Sequence, residues 1–535
     1  MKVTHIIITL LLSFSIYAQE DPFTLSLEPV VVDELGGIQS FAFGQSDGLW
    51  LIVGGRLDGL HRRQPWASFD IAGHNDQLWV IDPKNNQKWT ADLSALPTSI
   101  KEQLSSTNMQ FIQEGNILYC VGGYGYSPSS GDHTTYSTLT AIHVKEVIDA
   151  ILEDRSFEDY IRQISGDLFQ VTGGRLLKMN DLYYLLGGQK FLGRYNPMGP
   201  DHGPGFIQEY TNSIHIFSIE DDGEILKVNQ LDTYSDLDHL HRRDYNAEAQ
   251  IMPDGSEGIT MFSGVFQLSV DLPFLNSVDV TSDGYQVNDN FLQYYNHYHC
   301  PVIPIYSEEK NEMHNIFFGG IAQYYDDGGT LVQDNNVPFV NTIARVTRNG
   351  EGNMSEYKLP EVMPALLGAG GEFIPAEGIP EYENGVIRMD DLQEGQVMVG
   401  YIYGGISSSA PNIFFINNGD ESQASSMIYK VLITKETSTA ADDINEASNS
   451  PLKAIIYPNP NNGQLRISYN LLDQDKVNIS VSDLQGKQLI KRVAIDQGIG
   501  RNVVTMDMSH LSYNKIYLIT IETSQGRFTQ RLVLE

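Results

Sequence analysis

Six times along this chain a short apolar run ends at a glycine, five times at a pair. The runs are Leu49-Trp-Leu-Ile-Val-Gly54-Gly55, Ile117-Leu-Tyr-Cys-Val-Gly122-Gly123, Leu182-Tyr-Tyr-Leu-Leu-Gly187-Gly188, Ile259-Thr-Met-Phe-Ser-Gly264, Ile316-Phe-Phe-Gly319-Gly320 and Tyr401-Ile-Tyr-Gly404-Gly405. With Gly264 as the survivor of its pair, successive first glycines stand 68, 65, 77, 55 and 85 residues apart. Each unit has one internal order: an entry strand, a polar turn, the apolar strand with its glycines, a long variable loop, and a further strand such as Gln77-Leu-Trp-Val-Ile-Asp82. Turn residues such as Pro253-Asp-Gly255 punctuate the units. Glycine after a buried strand lets the backbone turn sharply and lets a neighbouring unit approach closely. A β unit that cannot bury its own faces must stack against its copies, so the pattern predicts an all-β, radially stacked propeller. The competing arrangement is a sandwich with glycine-rich turns. The strand near Leu25 to Val32 is expected to complete the last unit.

Composition narrows the partners. Of 535 residues 41% are hydrophobic, too many for a disordered polymer, and the formal net charge is -34. The acid is uneven: residues 19–450 carry 23 Lys/Arg against 61 Asp/Glu, residues 451–535 ten against seven. That step predicts a domain boundary near 450. A body this acidic is not expected to hold nucleic acid by charge. Cys120 and Cys300 are too few for a disulfide framework and read as small buried side chains.

The repeating strand, glycine pair, loop and strand resemble a kelch repeat, and six of them resemble a six-bladed kelch-type β-propeller over residues 19–434. The units exceed the ~50-residue kelch length, the fourth lacks one glycine, and the tryptophan late in each repeat is mostly missing.

Both ends read as export signals. Lys2 precedes a 13-residue apolar run, Ile6 to Ala18, too short to span a bilayer and placed as a signal peptide over residues 1–18. No other stretch is long and apolar enough to span, so no transmembrane segment is expected in the mature chain. After a polar linker at 435–452, residues 453–535 hold Tyr457-Pro458-Asn459-Pro460 with Gly463 following, the turn Asp483-Leu-Gln-Gly-Lys487, the strand Ile516-Tyr-Leu-Ile-Thr-Ile521 and a final Arg531-Leu-Val. This order closely resembles the C-terminal sorting domain of the type IX secretion system of the Bacteroidota, a small β-sandwich; Lys515 stands where a glycine is usual. The resemblance implies Pro458, Asn459, Pro460 and Gly463 as sorting-motif residues, the secretion machinery as a partner, and a secreted or outer-membrane-surface location.

In a four-stranded blade the loops after the glycine pairs share one face with the entries to the innermost strands, and long loops on a rigid scaffold carry binding surfaces. Candidate ligand-binding residues there are Arg62, Arg63 and Trp66 in the first loop, Tyr124 and Tyr126 in the second, and Tyr324 in the fifth. Aligning Gly264 with Gly320 pairs His241 with His297 and Arg243 with His299, placing Arg242, Arg243, Tyr245, His297 and His299 at the channel mouth. Such a basic rim suits a carboxylate, a sulfate or an acidic sugar. Arginine buried against Asp238 or Asp244 is the alternative. The expectation is an extracellular glycan- or protein-binding module; the other reading is a carbohydrate-active enzyme (epimerase, lyase or oxidase-like) at the same mouth. No cofactor is expected, and Asp326-Asp-Gly-Gly329 is compatible at most with a structural calcium.

Overall fold

The computed structural model describes residues 22–199 and 205–435 and, in the C-terminal region, 452, 455–457, 463–471, 473–483, 487–492, 496–498, 500–511, 515–524 and 526–534. The signal peptide and Pro458, Asn459 and Pro460 lie outside the described residues. The chain divides into two compact units, Met1–Lys435 and Glu436–Glu535.

The first unit holds six sheets in chain order, each built on four antiparallel strands; the fifth adds Ile387–Arg388 as a short parallel edge strand. Their apolar second strands are Leu49–Val53, Ile117–Val121, Leu182–Leu186, Glu257–Phe262, Glu312–Ile321 and Gln396–Gly404, in sheets I to VI respectively. Sheet VI takes its outer strand from the far end of the sequence: Phe23–Val30 pairs with Ile428–Lys435, from Phe23 opposite Lys435 to Val30 opposite Ile428.

The second strands read as unbroken apolar runs because both faces of each sheet are covered. Leu51 and Val53 pack with Leu118 and Cys120 of sheet II. Tyr119 and Val121 face the other way, onto Tyr183 and Leu185 of sheet III, and Tyr184 and Leu186 meet Ile259 and Met261 of sheet IV. Phe262 packs on Phe317 of sheet V, and Ile316 and Phe318 on Ile402 of sheet VI. Tyr401 and Tyr403 return to Trp50 and Ile52 of sheet I. Alternate side chains of one strand thus serve alternate neighbours, as the two-residue period of a strand requires. Each fully buried side chain of this size adds about 1.5–3 kcal/mol. A helix absent from the sequence expectation, Val144–Leu152, wedges Val147, Ile148 and Ile151 into the cluster between sheets I and II.

No sheet among the described residues closes on itself, but backbone hydrogen bonds run between sheets in a complete circuit. The Ser40 N–H donates to the Gly370 carbonyl (2.7 Å), Asn108 to Ser40 (3.0 Å), Gly173 to Asn108 (3.3 Å), Asp244 to Gly173 (2.7 Å), His299 to Asp244 (2.9 Å) and Gly370 to His299 (3.0 Å). Each donor sits at the entry to one innermost strand, and all but His299 are left-handed, with φ from 48° to 69°.

A second circuit uses the glycines. The last glycine of each unit donates to the next sheet: Gly55 to Ser106 (2.8 Å), Gly123 to Val171 (2.9 Å), Gly188 to Arg242 (2.8 Å), Gly264 to His297 (3.2 Å), Gly320 to Leu367 (3.1 Å) and Gly405 to Ile38 (2.9 Å). Both positions of every pair have positive φ, and Ser263 (φ 50°) takes the first place in sheet IV. A Cβ on Gly122 or Gly319 would lie 1.9 Å from the carbonyl oxygen of the neighbouring sheet. The bond beside Ser263 is the longest of the six.

In the second unit two sheets share one core. Ile455–Tyr457, Gln464–Leu471 and Gly500–Asp507 form the first; Gln488–Arg492, Asn478–Ser482, Lys515–Thr523 and Gly526–Leu534 form the second. Ile467 and Tyr469 of one pack with Val481, Ile519 and Leu532 of the other. Gly463 is left-handed (φ 95°), and its carbonyl accepts from the Met508 N–H. The Asp483 turn closes on itself: the Lys487 N–H donates to Asp483 Oδ1 at 2.8 Å, and the Asp483 N–H to the Lys487 carbonyl at 3.0 Å.

Candidate functional site

On the side reached by the chain just past the glycines lies a cavity of about 1030 Å³ to which all six sheets contribute. The residue one step beyond the pair lines it in five units: Arg56, Tyr124, Gln189, Ile321 and Ile406. A smaller void of about 20 Å³ adjoins it, and Ser40, Asn108, Asp244 and His299, four members of the first circuit, line both. The circuit is therefore the neck between them.

Part of the wall is built from segments whose sequence pattern is that of loops. Tyr124–Ser127, Asp132–Thr135, Gln189–Leu192 and Ile207–Tyr210, from units II and III, pair into an additional four-stranded sheet. It presents Tyr124, Phe191 and Tyr210 to the cavity, where Tyr195 and Phe206 join them. Tyr124, Phe191, Tyr195 and Phe206 pack edge-on or tilted at centroid distances of 5.2–5.7 Å, the geometry that ring quadrupoles favour. The Tyr124 hydroxyl donates to the Gly193 carbonyl and accepts from the Tyr195 N–H, both at 2.9 Å.

Arg243 joins this wall. Its Nε donates to the Tyr210 hydroxyl at 2.9 Å, its Nη1 pairs with Asp244, and its guanidinium lies 5.1 Å from the centre of the Phe266 ring. Burial opposes its charge, yet Tyr210, Asp244, Tyr195 and Tyr298 hold its pKa well above the ordinary value. His241 stacks on Tyr210 at 3.8 Å, and burial followed by the Arg243 charge pushes its pKa down. Around the small void Arg175 lies 3.5 Å from Glu248, and His299 Nε2 3.0 Å from Glu372 Oε1. Burial raises the Glu248 pKa to about 7, with Arg175 opposing and Glu372 adding to the rise.

The candidate residues separate. Arg63, Tyr124, Arg243 and His299 line the large cavity. Arg62 and Trp66 are exposed on the first loop. Tyr126 packs edge-on to His133, and Tyr324 to Tyr294, neither lining the cavity. Tyr245 is a core residue whose hydroxyl donates to the Leu186 carbonyl at 2.8 Å. Arg242 is fully buried, donating to the carbonyls of His239, Ser263 and Asn276 and to Asn276 Oδ1, with its guanidinium 4.1 Å from the Phe274 ring centre.

His297 is likewise interior. Its Nδ1 accepts from the Gln323 N–H at 3.0 Å, so Nε2 carries the proton and donates to the Gln293 carbonyl at 2.9 Å. We expect His297→Ala to cost about 2–3 kcal/mol by orphaning those groups while leaving ligand affinity at the cavity unchanged; urea unfolding beside a titration separates the two.

The expected pairing of entry segments is corrected by one residue. Arg242 corresponds to His297 and Asp244 to His299, because the hairpin of sheet V is one residue longer: His299 stands 21 residues before Gly320, Asp244 20 before Gly264. Of the two acids named as alternative partners, Asp244 is the one that holds Arg243. Asp326-Asp-Gly-Gly329 is a hairpin turn whose Asp326 pairs with Lys358 at 2.7 Å. Among the described residues no group of three or more His, Cys, Asp or Glu is placed to hold a metal ion. Both cysteines are buried free thiols with raised pKa values.

Comparison with known proteins reaches the two units unequally. Solved structures resembling the chain include that of YjhT (12% identity, TM-score 0.39, covering 74% of this chain and 97% of that one). Another is RAG in complex with one melted and one unmelted RSS (12% identity, TM-score 0.34, covering 77% and 99%). No curated protein matches the sequence. No helix among the described residues is long and apolar enough to cross a membrane. Residues 455–535 match the family model of the secretion system C-terminal sorting domain, and with that type IX export signal the chain is a secreted or cell-surface protein.

Proposed function

We propose that the first unit, over residues 19–434, is a six-bladed kelch-type propeller that binds glycan in the cavity at the hub, and that after loss of the signal peptide the chain is exported by the type IX machinery through its C-terminal domain. Two circuits of backbone hydrogen bonds through six sheets in chain order support the propeller. The binding role rests on one observation: a cavity of about 1030 Å³ with an aromatic wall. Sugar rings present flat C–H faces that lie on aromatic side chains, and the volume exceeds that of a usual small-molecule pocket. Arg243 is already matched by Asp244, and Arg56 by Asp58 at 2.5 Å, so the interior suits uncharged rings. The test is a glycan array probed with the exported chain. Tyr195→Ala and Phe206→Ala should each weaken binding about 5- to 10-fold by removing a stacking face; unchanged binding in both sinks the assignment. Candidates outside the cavity, Tyr126 and Tyr324, should tolerate alanine.

A carbohydrate-active enzyme is favoured by one feature. Burial holds the Glu248 pKa at about 7, in the range of a general acid or base, and Glu248 pairs with Arg175, which lines the small void together with His299 and Glu372. Turnover of a bound glycan, lost in Glu248→Gln and retained in Tyr126→Phe, would establish it; a glycan recovered intact after prolonged incubation excludes it.

A further inference from the structure

The first and sixth loops merge into one lobe at the cavity rim. The Arg63 N–H donates to the Asn417 carbonyl at 3.0 Å, and Asn417 Nδ2 donates to the carbonyls of Leu60 and His61 at 2.9 Å each. The Leu60 N–H donates to Ser422 Oγ at 2.9 Å. Asn417 is fully buried, so the lobe is fixed by satisfied hydrogen bonds.

On this frame two rings are presented to solvent, Trp66 71% exposed and Phe415 62% exposed. Between the loops run two arginines. Arg62 lies across Gly419, whose added Cβ would meet its Nε at 2.6 Å, and Arg63 is steadied by one bond from Nη1 to the Phe415 carbonyl at 3.1 Å. Both are exposed and neither forms an ion pair with a carboxylate among the described residues. Arginines facing the interior behave otherwise: Arg56, Arg175 and Arg243 are each matched by an acid. Unpaired guanidinium groups beside exposed rings, on a body with 61 acidic residues against 23 basic, form a local site of opposite sign. Arg63 and Phe415 also line the cavity, so lobe and cavity are continuous.

We infer that this lobe selects acidic glycans, with sugar rings on Trp66 and Phe415 and carboxylate or sulfate groups held by Arg62 and Arg63. The inference rests on the glycan-binding reading and adds the class of sugar. Guanidinium groups match carboxylate and sulfate oxygens in planar, two-point contacts. The acidic body does not repel such a ligand from a distance, because charges are screened beyond about 8 Å at physiological salt.

The test compares matched sugars on the exported chain: oligogalacturonate against its methyl ester, and chondroitin sulfate against unsulfated and decarboxylated chondroitin, with polyglutamate as a control for charge alone. The expected result is at least a ten-fold preference for the acidic member of one pair. Raised salt should reduce that preference, and the Arg62→Gln variant, outside the cavity lining and folded by circular dichroism, should cut it at least three-fold while keeping the affinity for the neutral member. Equal affinity within both pairs overturns the selection but leaves glycan binding standing. Polyglutamate binding as tightly as the acidic sugar overturns it in favour of charge alone. No sugar bound by either protein overturns this inference and the glycan reading together.

Discussion

Alanine in place of Gly122 should destabilise the first unit by about 4 kcal/mol, whereas alanine at Gly115 should cost only about 1 kcal/mol. Both glycines are left-handed, at φ 64° and 56°, so both substitutions carry the ~1–2 kcal/mol penalty of an L-residue in that region. They differ in what surrounds them. A Cβ on Gly115 meets nothing within 4 Å, while one on Gly122 would sit 1.9 Å from the Val171 carbonyl oxygen and 2.8 Å from that of Phe169. Relief requires sheets II and III to move apart by about an ångström, weakening the Gly123-to-Val171 bond and opening the packing of Val121 against Leu185. Gly319→Ala, 1.9 Å from the Leu367 carbonyl, should behave like Gly122→Ala. Urea unfolding at constant slope reads the difference; equal losses at Gly115 and Gly122 would show that the glycine pairs serve the turn alone.

Stability should peak near pH 6.5 and fall by roughly 5 kcal/mol by pH 4.5. Burial lowers the pKa values of His61, His74 and His297 from 6.5 to about 4 and that of His314 to about 3. Each histidine takes up a proton on unfolding below pH 6.5, so its contribution is present above that value and is lost as the pH falls through the folded pKa. Glu248 and Glu356 act in the opposite sense. Burial raises them from 4.5 to about 7 and about 8, so their contribution is complete below 4.5 and is lost as the pH rises through those values. Between 6.5 and 4.5 four histidines outweigh two carboxyls; above 6.5 only the carboxyls act. His314→Asn should flatten the acid limb by removing one of those protons, and Glu356→Gln the alkaline limb. Thermal unfolding of the three proteins from pH 4.5 to 8.5 checks both; a stability that keeps rising to pH 8.5 would refute the balance.

The glycine pairs made the six sheets legible because their cause is local: two successive left-handed residues after a buried strand. The exported C-terminal unit was legible for the same reason, through its ordered turn and strand motifs. What escaped was long-range. The one-residue difference between Arg243 and His299 arises in the hairpin before the glycines, where the fifth unit has a longer ladder and a shorter turn, one residue more in all. The additional sheet joining Tyr124–Ser127 to Ile207–Tyr210 pairs segments from two repeats, and no period in either repeat announces it. Arg242 and Arg243 are neighbours of one residue type, yet one is a core fastener and the other faces the cavity; strand alternation separates them only once the register is known. The residue after each glycine pair is a usable signal for the cavity lining, and of the five that line it Tyr124 is the one among the sequence candidates.

Sheet VI needs both Phe23–Val30 and Ile428–Lys435, so its strands are joined across a stretch of more than 400 residues. Bringing such distant segments together is the slow, entropy-limited part of folding. Until Lys435 is available, a growing chain exposes the outer side of the Gln396–Gly404 strand, whose other side pairs with Gly371–Pro375, as an adhesive edge. The sorting domain is encoded just beyond that closing strand, so the export address becomes complete only after the last segment needed to seal the body has been made. Sequence order alone thereby ties readiness for secretion to the ability to fold.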